Sequence, residues 1–215
     1  MAKKNKKVKS DNIFILVLTI LLIALIISLG ILIKKTLNKP KSEVIETKVV
    51  DKLDEYGYYL TDHNTDYYKE IYNELKDLLS GNSIDEEKYV SLIAELYTID
   101  FYDLNSKLSK SDVGGVQFIS EYYQDTFIKT ASGTNGIYYY VKSDLYGDRK
   151  QDLPIVEKVE ILSTEKQEYK YDKINDTNAY KVVLSIEYKE DLGYPKTVSL
   201  IFVHNGKKLE IAEVK

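Results

Sequence analysis

The sequence predicts an α+β protein in which one transmembrane helix precedes three helices packed on a curved antiparallel sheet of four or more strands. Three observations support this: an uncharged aliphatic segment near the start, then apolar residues at helical spacing, then apolar residues that alternate at period two. A chain of 215 residues is long enough for one domain of about 150 residues plus an anchor. We therefore expect a single core.

The aliphatic segment covers residues 13–33, which are 21 residues without a charge. At ~1.5 Å rise per residue, a helix of this length crosses a hydrocarbon core of ~30 Å. A cleavable signal peptide has a shorter apolar region of about 7–15 residues followed by a small-residue cleavage site. A buried core helix would need an apolar partner on every face. The segment is therefore interpreted as a transmembrane helix.

This assignment divides the chain into four parts: a basic tail (1–12), the transmembrane helix (13–33), a juxtamembrane linker (34–48) and an outer α+β domain (49–215). Five lysines precede the helix and four follow it closely. Long domains cross a bilayer largely regardless of charge, whereas a short lysine-rich tail resists crossing. We therefore expect a single-pass protein of the cell membrane, with its N-terminus in the cytoplasm and its C-terminal domain outside.

Composition excludes several classes of chemistry. The chain contains no cysteine, which excludes disulfides, thiolate nucleophiles and cysteine-based metal sites. From Val49 onward the chain contains 20 Lys and Arg residues and 31 Asp and Glu residues, which gives a net charge of −11. Such an acidic domain is not expected to bind nucleic acid. The lysines near the predicted helix suit anionic lipid headgroups instead. Twenty tyrosines, no tryptophan and a single arginine are typical of an AT-rich bacterial genome.

Two helices are predicted first. Helix one begins at Asn64 or Thr65, presents an apolar face and ends at Gly81. Helix two begins with a capping box formed by Ser83 and Glu86 and runs toward Leu104.

A third helix is predicted from Asp112 to Gly133. Gly114 and Gly115 fall in its first turns, where each glycine costs ~1 kcal/mol. We interpret this pair as a close backbone contact or a late helix start, since no strand and no glycine-rich phosphate motif frames it.

After Gly133 the apolar period changes to two, which predicts strands. The predicted strands are 137–143, 155–171, 179–188, 197–204 and 208–214. A slip in the alternation near Ile161 predicts a bulge in the second of these. Asn205-Gly206 predicts a tight hairpin between the last two.

The histidines offer little chemistry. His63 and His204 have no metal-ligating neighbour at i+3 or i+4, and nothing pairs with them at triad-like spacing. We interpret both as surface or turn residues, and we predict no catalytic, cofactor-binding or metal-binding residue.

Residues 62–66 imitate the first half of a calcium-binding loop, but Tyr67 stands where that loop needs glycine and Asn73 where it needs glutamate. Helix capping by Asp62 and Asn64 is the preferred interpretation.

Asp100 is the most interesting carboxylate. If helix two continues, Asp100 falls on its apolar face, four residues after Leu96, where a buried acid would serve as a general base or ligand anchor. The preferred alternative is that Asp100 caps a new helical turn that begins at Phe101.

The tyrosine pairs at 58–59, 67–68 and 122–123 and the triplet at 138–140 suit either a glycan-binding groove or half-buried packing, and we favour packing. If the domain holds a ligand cavity, its expected lining is Asp100, Tyr97, Tyr123 and Tyr139.

Three helices followed by a bent sheet, with the segments Ile99-Asp100-Phe101-Tyr102 and Asp112-Val113-Gly114-Gly115, resemble the cone-shaped fold named for a nuclear transport factor. With an N-terminal span, the chain resembles the bitopic scaffold subunits of bacterial type IV secretion and conjugation machines over nearly its whole length. This resemblance implies a self-associating scaffold whose outer domain meets other membrane subunits. The fold also hosts enzymes such as ketosteroid isomerase, so the fold alone does not decide the function.

We therefore expect a non-enzymatic, membrane-anchored interaction or scaffold module that binds itself or other envelope proteins. A module that binds a small ligand or cell-wall glycan in the cone's cavity is the alternative. An enzyme of the same fold is the least favoured function.

Overall fold

In the computed structural model, the described residues are 46–215 together with Thr19, Leu21, Leu22, Leu25, Ile27, Ser28 and Leu29. The chain divides into two compact units, Met1–Glu43 and Val44–Lys215. The seven described residues of the first unit are helical, with exposed side chains. The predicted tail at 1–12, residues 34–45 of the predicted linker at 34–48 and most of the predicted transmembrane segment lie outside the described residues. Within the part that is described, the longest apolar helix falls short of what a bilayer crossing requires.

The second unit is an α+β domain, as predicted. Within residues 46–215 its helices are α1 (Asp66–Leu79), α2 (Glu86–Tyr102) and α3 (Gln124–Ser132), with 3₁₀ turns at Leu104–Ser106, Val116–Phe118 and Glu121–Tyr123. Its strands are β1 (Val49–Leu53), β2 (Tyr58–Thr61), β3 (Val156–Tyr171), β4 (Ile174–Tyr188), β5 (Thr197–Asn205) and β6 (Lys208–Val214). β1 and β2 form a hairpin, and the other strands form one antiparallel sheet in the order β3-β4-β5-β6.

Helix α1 follows its sequence signals. The Thr65 side chain accepts a hydrogen bond from the Tyr68 backbone N–H at 3.2 Å, so Thr65 is the N-cap, as one of the two predicted alternatives had it. The residues buried along one face are Tyr68, Ile71, Tyr72 and Leu75. This apolar stripe packs against α2.

Helix α2 is the centre of the core. It is buried on most of its circumference because α1 packs on one side and β3, β4 and β5 lie on another. Its N-cap is Asp85, whose carboxylate accepts hydrogen bonds from the Glu87 and Lys88 N–H groups. The predicted capping box at Ser83 and Glu86 is therefore wrong, because an acid nearer the helix start caps it instead.

The predicted third helix is only partly correct. Two 3₁₀ turns precede α3, which begins at Gln124. The reason is the contact made by Gly114 and Gly115: a Cβ at Gly114 would lie 2.1 Å from the Asp100 carbonyl oxygen, and one at Gly115 would lie 2.6 Å from the Tyr97 ring. These glycines mark a close backbone contact, as predicted, and the chain becomes helical only after it.

The sheet follows the period-two pattern closely. The predicted bulge in β3 is confirmed by a register shift between Ile161 and Ser163. The predicted hairpin between β5 and β6 is also confirmed, and its tight turn is Gly206-Lys207, since Asn205 pairs with Lys208. β4 begins at Ile174, earlier than predicted, and continues the hairpin with β3.

The predicted strand at 137–143 is wrong. The segment forms successive turns, in which the Tyr139 N–H donates to the Gly136 carbonyl and the Val141 N–H donates to the Tyr138 carbonyl. Tyr138 is fully buried and donates through its hydroxyl to the Phe101 carbonyl at 2.8 Å. The hairpin of β1 and β2 was not predicted, because its strands are short and their sequences show no regular alternation of apolar and polar residues.

One face of β4 and β5 is buried, whereas β3 beyond Val159 is half-exposed or exposed. Alternate residues of β4 from Tyr180 to Ile186 point into the main core, as predicted. The opposite face is half-exposed and carries a smaller apolar cluster of Ala179, Ile201 and Val203.

We expect Gly115→Ala to destabilise the fold more than Gly193→Ala. Both glycines have a positive φ, +75° and +79°, but an added Cβ at Gly193 meets nothing within 4 Å. A left-handed alanine costs about 1–2 kcal/mol, and crowding against the Tyr97 ring adds about 1–3 kcal/mol. Urea unfolding of the full chain, followed by the near-ultraviolet circular dichroism of the tyrosines, measures both. Equal losses of unfolding free energy in the two variants would contradict the contact.

Candidate functional site

An apolar cleft opens between α3 and β6. Its volume is about 430 Å³, which lies within the range of small-ligand and side-chain sites. It is lined by Phe101, Ile119, Tyr123, Thr126, Phe127, Thr130, Ala131, Asn135, Gly136, Ile137, Ile211, Ala212, Glu213 and Val214. Glu213 is the one charged residue in that lining. The cleft is therefore suited to an apolar group.

Strand β6 forms one wall of the cleft and is an edge strand of the described sheet. Lys215 and Ser199 exchange both of their backbone N–H···O bonds at 2.8 Å. In an antiparallel pair, the neighbouring residue Val214 then directs its own N–H and carbonyl away from β5. The outer edge of β6 is thus available for further pairing at Val214.

The chain itself covers the preceding part of this edge. Ile119 forms a parallel bridge with Ile211, and the Ser120 N–H donates to the Ile211 carbonyl at 2.9 Å. A register shift in β6, which leaves Ala212 as an extra residue, lets both Ile211 and Val214 face outward. Among the described residues, the outer edge is bridged at Ile211 and open beyond it.

Packed aromatic rings form the floor of the cleft. Phe101 and Phe127 line it, and the fully buried Tyr97 lies behind them. The ring centroid of Tyr97 is 5.4 Å from that of Phe101 and 6.2 Å from that of Phe127. Burial raises the pKa of Tyr97 well above its usual value. Its hydroxyl oxygen is buried and has no hydrogen-bond partner in the described part of the chain.

Exposed tyrosines lie near the rim. Tyr123 lines the cleft, and its ring centroid is 6.5 Å from that of Tyr171. Tyr122 and Tyr171 are 69% and 62% exposed, and the Lys173 ammonium lies 5.5 Å from the Tyr122 ring centroid. These rings offer flat apolar surface beside the opening.

The four predicted cavity residues do not share one cavity. Tyr123 lines the cleft and Tyr97 supports its floor, whereas Asp100 lines a separate polar cavity. Tyr139 is half-buried elsewhere, with the Lys110 ammonium 5.5 Å from its ring centroid. Three of the four tyrosine runs follow the predicted packing: Tyr58, Tyr68 and Tyr138 are buried, and each has a less buried tyrosine beside it. The pair at 122–123 has no buried member.

Asp100 belongs to a polar cavity of about 250 Å³. It pairs with the nearly buried Lys107 ammonium and accepts a hydrogen bond from the Gly115 N–H at 2.7 Å. The prediction that Asp100 caps a new helical turn is wrong, because Asp103 takes that role by accepting from the Ser106 N–H at 3.0 Å. Burial lowers the pKa of Lys107, but the neighbouring carboxylates, chiefly Asp100, outweigh it and raise that pKa.

The single arginine supports the same segment. The Arg149 side chain is only 4% exposed, and its guanidinium donates to the carbonyls of Asn105 and Lys107, each at 2.6 Å. The composition singled out this arginine, but the sequence indicated no role for it. Its contacts show that it holds the loop after α2 to the loop around residue 149.

The residues that imitate a calcium loop have other uses. The Asp62 carboxylate accepts from the Lys48 N–H at 2.9 Å, and the Asn64 side chain accepts from the Thr61 N–H at 2.7 Å. Helix capping by Asp62 and Asn64 is therefore wrong, since Thr65 caps α1. His63 is half-buried and lines the polar cavity. No cluster of three or more His, Asp and Glu suited to a metal occurs among the described residues.

His204 lies near the β5–β6 turn, as predicted, but both of its ring nitrogens have carboxylate partners. Nδ1 lies 2.7 Å from Asp176 on β4, and Nε2 lies 3.1 Å from Glu86, the first residue of α2. The Tyr180 hydroxyl donates to Glu86 at 2.6 Å, and the Lys166 ammonium lies 3.9 Å from the same carboxylate. We call His204, Asp176 and Glu86 the histidine clasp, which joins α2 to the sheet.

The clasp shifts the pKa of its histidine. Burial alone lowers the pKa of His204, but the hydrogen bonds and charges of Asp176 and Glu86 outweigh it and raise the pKa above its usual value. The sequence does not reveal these partners, because Asp176 and Glu86 lie 28 and 118 residues away.

We expect Tyr138→Phe to destabilise the fold and Tyr97→Phe to leave its stability nearly unchanged. The Tyr138 hydroxyl donates to the Phe101 carbonyl and accepts from the Gly114 N–H at 3.0 Å. Its loss leaves a buried donor unpaired, at a cost of about 1–3 kcal/mol, whereas removal of the unpartnered Tyr97 hydroxyl costs nearly nothing. Urea unfolding of the full chain measures both, and a larger loss for Tyr97→Phe would contradict this pattern.

We expect the stabilising effect of His204 to depend on pH. Because its folded pKa is raised, the contribution is complete below the unfolded pKa of about 6.5 and is lost as pH rises through the folded value. The difference in unfolding free energy between the wild type and His204→Gln should therefore shrink from pH 6 toward alkaline pH. His63→Gln is the control for loss of an imidazole. A difference that does not change with pH would refute the clasp.

The comparisons with known proteins do not add to this picture, since no family model, no curated protein and no solved structure matches the chain. The function has to be inferred from the cleft, the polar cavity and the histidine clasp themselves.

Proposed function

We propose that the chain is a non-enzymatic interaction module of a bacterial envelope, anchored by one transmembrane helix at 13–33, and that its folded unit binds partner proteins through the α3–β6 cleft. The observation that carries the proposal is the open edge of β6 beside an apolar cleft of about 430 Å³. Exposed strand edges pair readily with other chains. Peptide-binding domains combine such an edge with apolar pockets for side chains.

The membrane anchor rests on the sequence. Residues 13–33 carry no charge over a length that crosses a bilayer. The lysine-rich tail before them favours a cytoplasmic N-terminus and an extracytoplasmic domain. An acidic domain outside the membrane suits protein partners better than nucleic acid.

A scaffold role in secretion or conjugation is the narrower form of this proposal. The order of helices and the antiparallel sheet are compatible with the nuclear-transport-factor-like cone, and α2 covers one face of that sheet. In such a role the domain would contact copies of itself or other envelope subunits. Neither form of the proposal requires a cofactor.

A module that binds a small ligand or glycan is the second candidate. The exposed rings of Tyr122 and Tyr171 near the cleft favour it, because aromatic faces stack on sugars and apolar ligands. An enzymatic role for Asp100 has less support, because that carboxylate is already paired with Lys107 and the Gly115 N–H.

A photo-crosslinking amino acid placed at Thr130 tests the proposed function in intact cells. Thr130 is exposed and lines the cleft, and the exposed Glu190, in the loop between β4 and β5, is the control position. We expect crosslinks to envelope proteins from position 130 and few from position 190. No partner from position 130 at native expression, or equal capture from both positions, would contradict the use of the cleft.

The anchor is tested on the same cells. We expect the full chain in the membrane fraction and expect added protease to remove the folded unit. Recovery in the soluble fraction without detergent would overturn the anchor, and full protection from protease would overturn the orientation.

A further inference from the structure

We infer that the partner presents an extended strand that pairs with β6 at Val214 and inserts a large apolar side chain, flanked by Lys or Arg, into the α3–β6 cleft. This inference rests on the proposed function and names the chemistry of the partner. Three observations carry it: the backbone groups at Val214, the apolar floor of the cleft and the negative charge of Glu213 on the other face of the same strand edge.

The backbone groups at Val214 require a polypeptide or a similar hydrogen-bonding ligand. Because Lys215 is the residue that bonds to Ser199 on β5, the Val214 N–H and carbonyl point outward. An acyl chain would fill the cleft but leave both groups without a protein partner. An added strand pairs with both while its side chain enters the cleft.

The segment before α3 already shows how a strand docks on this edge. Its parallel bridge to β6 joins Ile119 to Ile211, beside the Ser120–Ile211 hydrogen bond. After Ser120 the chain turns into Glu121–Tyr123 and leaves the edge. A partner strand at Val214 would therefore extend pairing that this chain begins and does not complete.

The other edge of the sheet lacks this arrangement. On β3, the Val156 N–H donates to the Asp103 carboxylate at 3.0 Å and the Val159 N–H donates to the Tyr67 hydroxyl at 3.1 Å. Side chains thus cover the start of that edge, and several charged residues follow along β3. Such features hinder the addition of a strand, so β6 is the edge to which we assign the partner.

The cleft accepts an apolar side chain. Phe101, Phe127 and Ile137 line it, and they pack on the main core. An inserted aromatic or branched side chain would be buried against preformed apolar walls, which is the geometry of an anchor residue in a protein interface.

The negative charge next to the β6 edge favours basic residues beside the inserted side chain. Glu213 pairs with Ile201 on the sheet face opposite the cleft, where the residues on either side of an inserted side chain would point, and the net charge of the domain from Val49 onward is −11. Lys215 pairs with Glu213 at 2.9 Å, but its side chain is 65% exposed. Such surface pairs are weak, so a Lys or Arg of the partner can replace Lys215. A second copy of this chain would bring the same negative charge and is disfavoured.

Labelled peptides of about ten residues test the inference on the full chain in detergent-free lipid nanodiscs, by fluorescence anisotropy. One peptide alternates Phe and Val with Lys, a second has Glu in place of Lys, and a third repeats the first with N-methylated backbone amides. We expect the lysine peptide to bind and the other two to bind at least about tenfold more weakly, since one loses charge complementarity and the other loses strand pairing.

Two pairs of variants locate the binding. Val214→Pro removes an outward N–H that β5 does not use, and Val214→Ala keeps it. Thr130→Trp fills the cleft from its rim, whereas Lys129→Trp adds the same side chain at an exposed position of α3 outside the lining. We expect Val214→Pro and Thr130→Trp to weaken binding about tenfold, Val214→Ala to weaken it less than Val214→Pro because it keeps the N–H, and Lys129→Trp to stay within about twofold. The near-ultraviolet circular dichroism of the tyrosines checks that each variant is folded. If Val214→Pro does not fold, the N-methylated peptide still tests strand pairing between the peptide and β6.

Several outcomes would overturn the inference. The peptide could bind equally to Val214→Pro and Val214→Ala, or the Lys and Glu peptides could bind equally well. Oleate could compete with the lysine peptide to the same extent in Val214→Pro as in the wild type. The chain could also self-associate in a way that Thr130→Trp abolishes. If crosslinks from position 130 persist while the peptides fail, the inference is wrong and the proposed function stands. If both fail, the proposed function is wrong as well.

Discussion

The close contact of Gly114 and Gly115 with the last turns of α2 is the constraint on which the rest of the site depends. A side chain at either position would overlap the Asp100 backbone or the Tyr97 ring. Because the chain is held there, the next residues reach the edge of β6, where Ile119 and Ser120 contact Ile211. α3 then returns over the end of the core. The cleft is the space that this path leaves between α3 and β6.

Charged residues secure this arrangement at two distant points. The buried pair of Asp100 and Lys107 is tied to the glycine segment by the Gly115 N–H, and the histidine clasp joins the start of α2 to the sheet. Buried ion pairs contribute little net stability, because desolvation offsets their attraction, but breaking one leaves an uncompensated charge. We therefore regard these groups as constraints on how the loops and α2 are placed, while the apolar core supplies most of the stability.

The two edges of the sheet differ in a way that bears on function. Side-chain groups of Asp103 and Tyr67 cover the start of the β3 edge, whereas β6 is covered by the chain at Ile211 and opens at Val214 beside an apolar cleft. Proteins commonly protect exposed edges against unwanted pairing. One protected edge and one open edge with an adjacent pocket are the features expected of a surface that accepts a chosen strand.

The sequence alone determined the α+β class, the bulge in β3 and the β5–β6 hairpin, because each depends on residues that are neighbours in the chain. For the cap of α1 it left Asn64 and Thr65 open, and the structure selects Thr65. For Gly114 and Gly115 it left a close backbone contact and a late helix start open, and the structure shows the contact. Only the tertiary structure decided that residues 137–143 form turns instead of a strand and that His204 bridges two distant carboxylates. It also decided that the four predicted cavity residues lie in different places. Those outcomes depend on contacts between residues far apart in the chain, which local spacing does not encode.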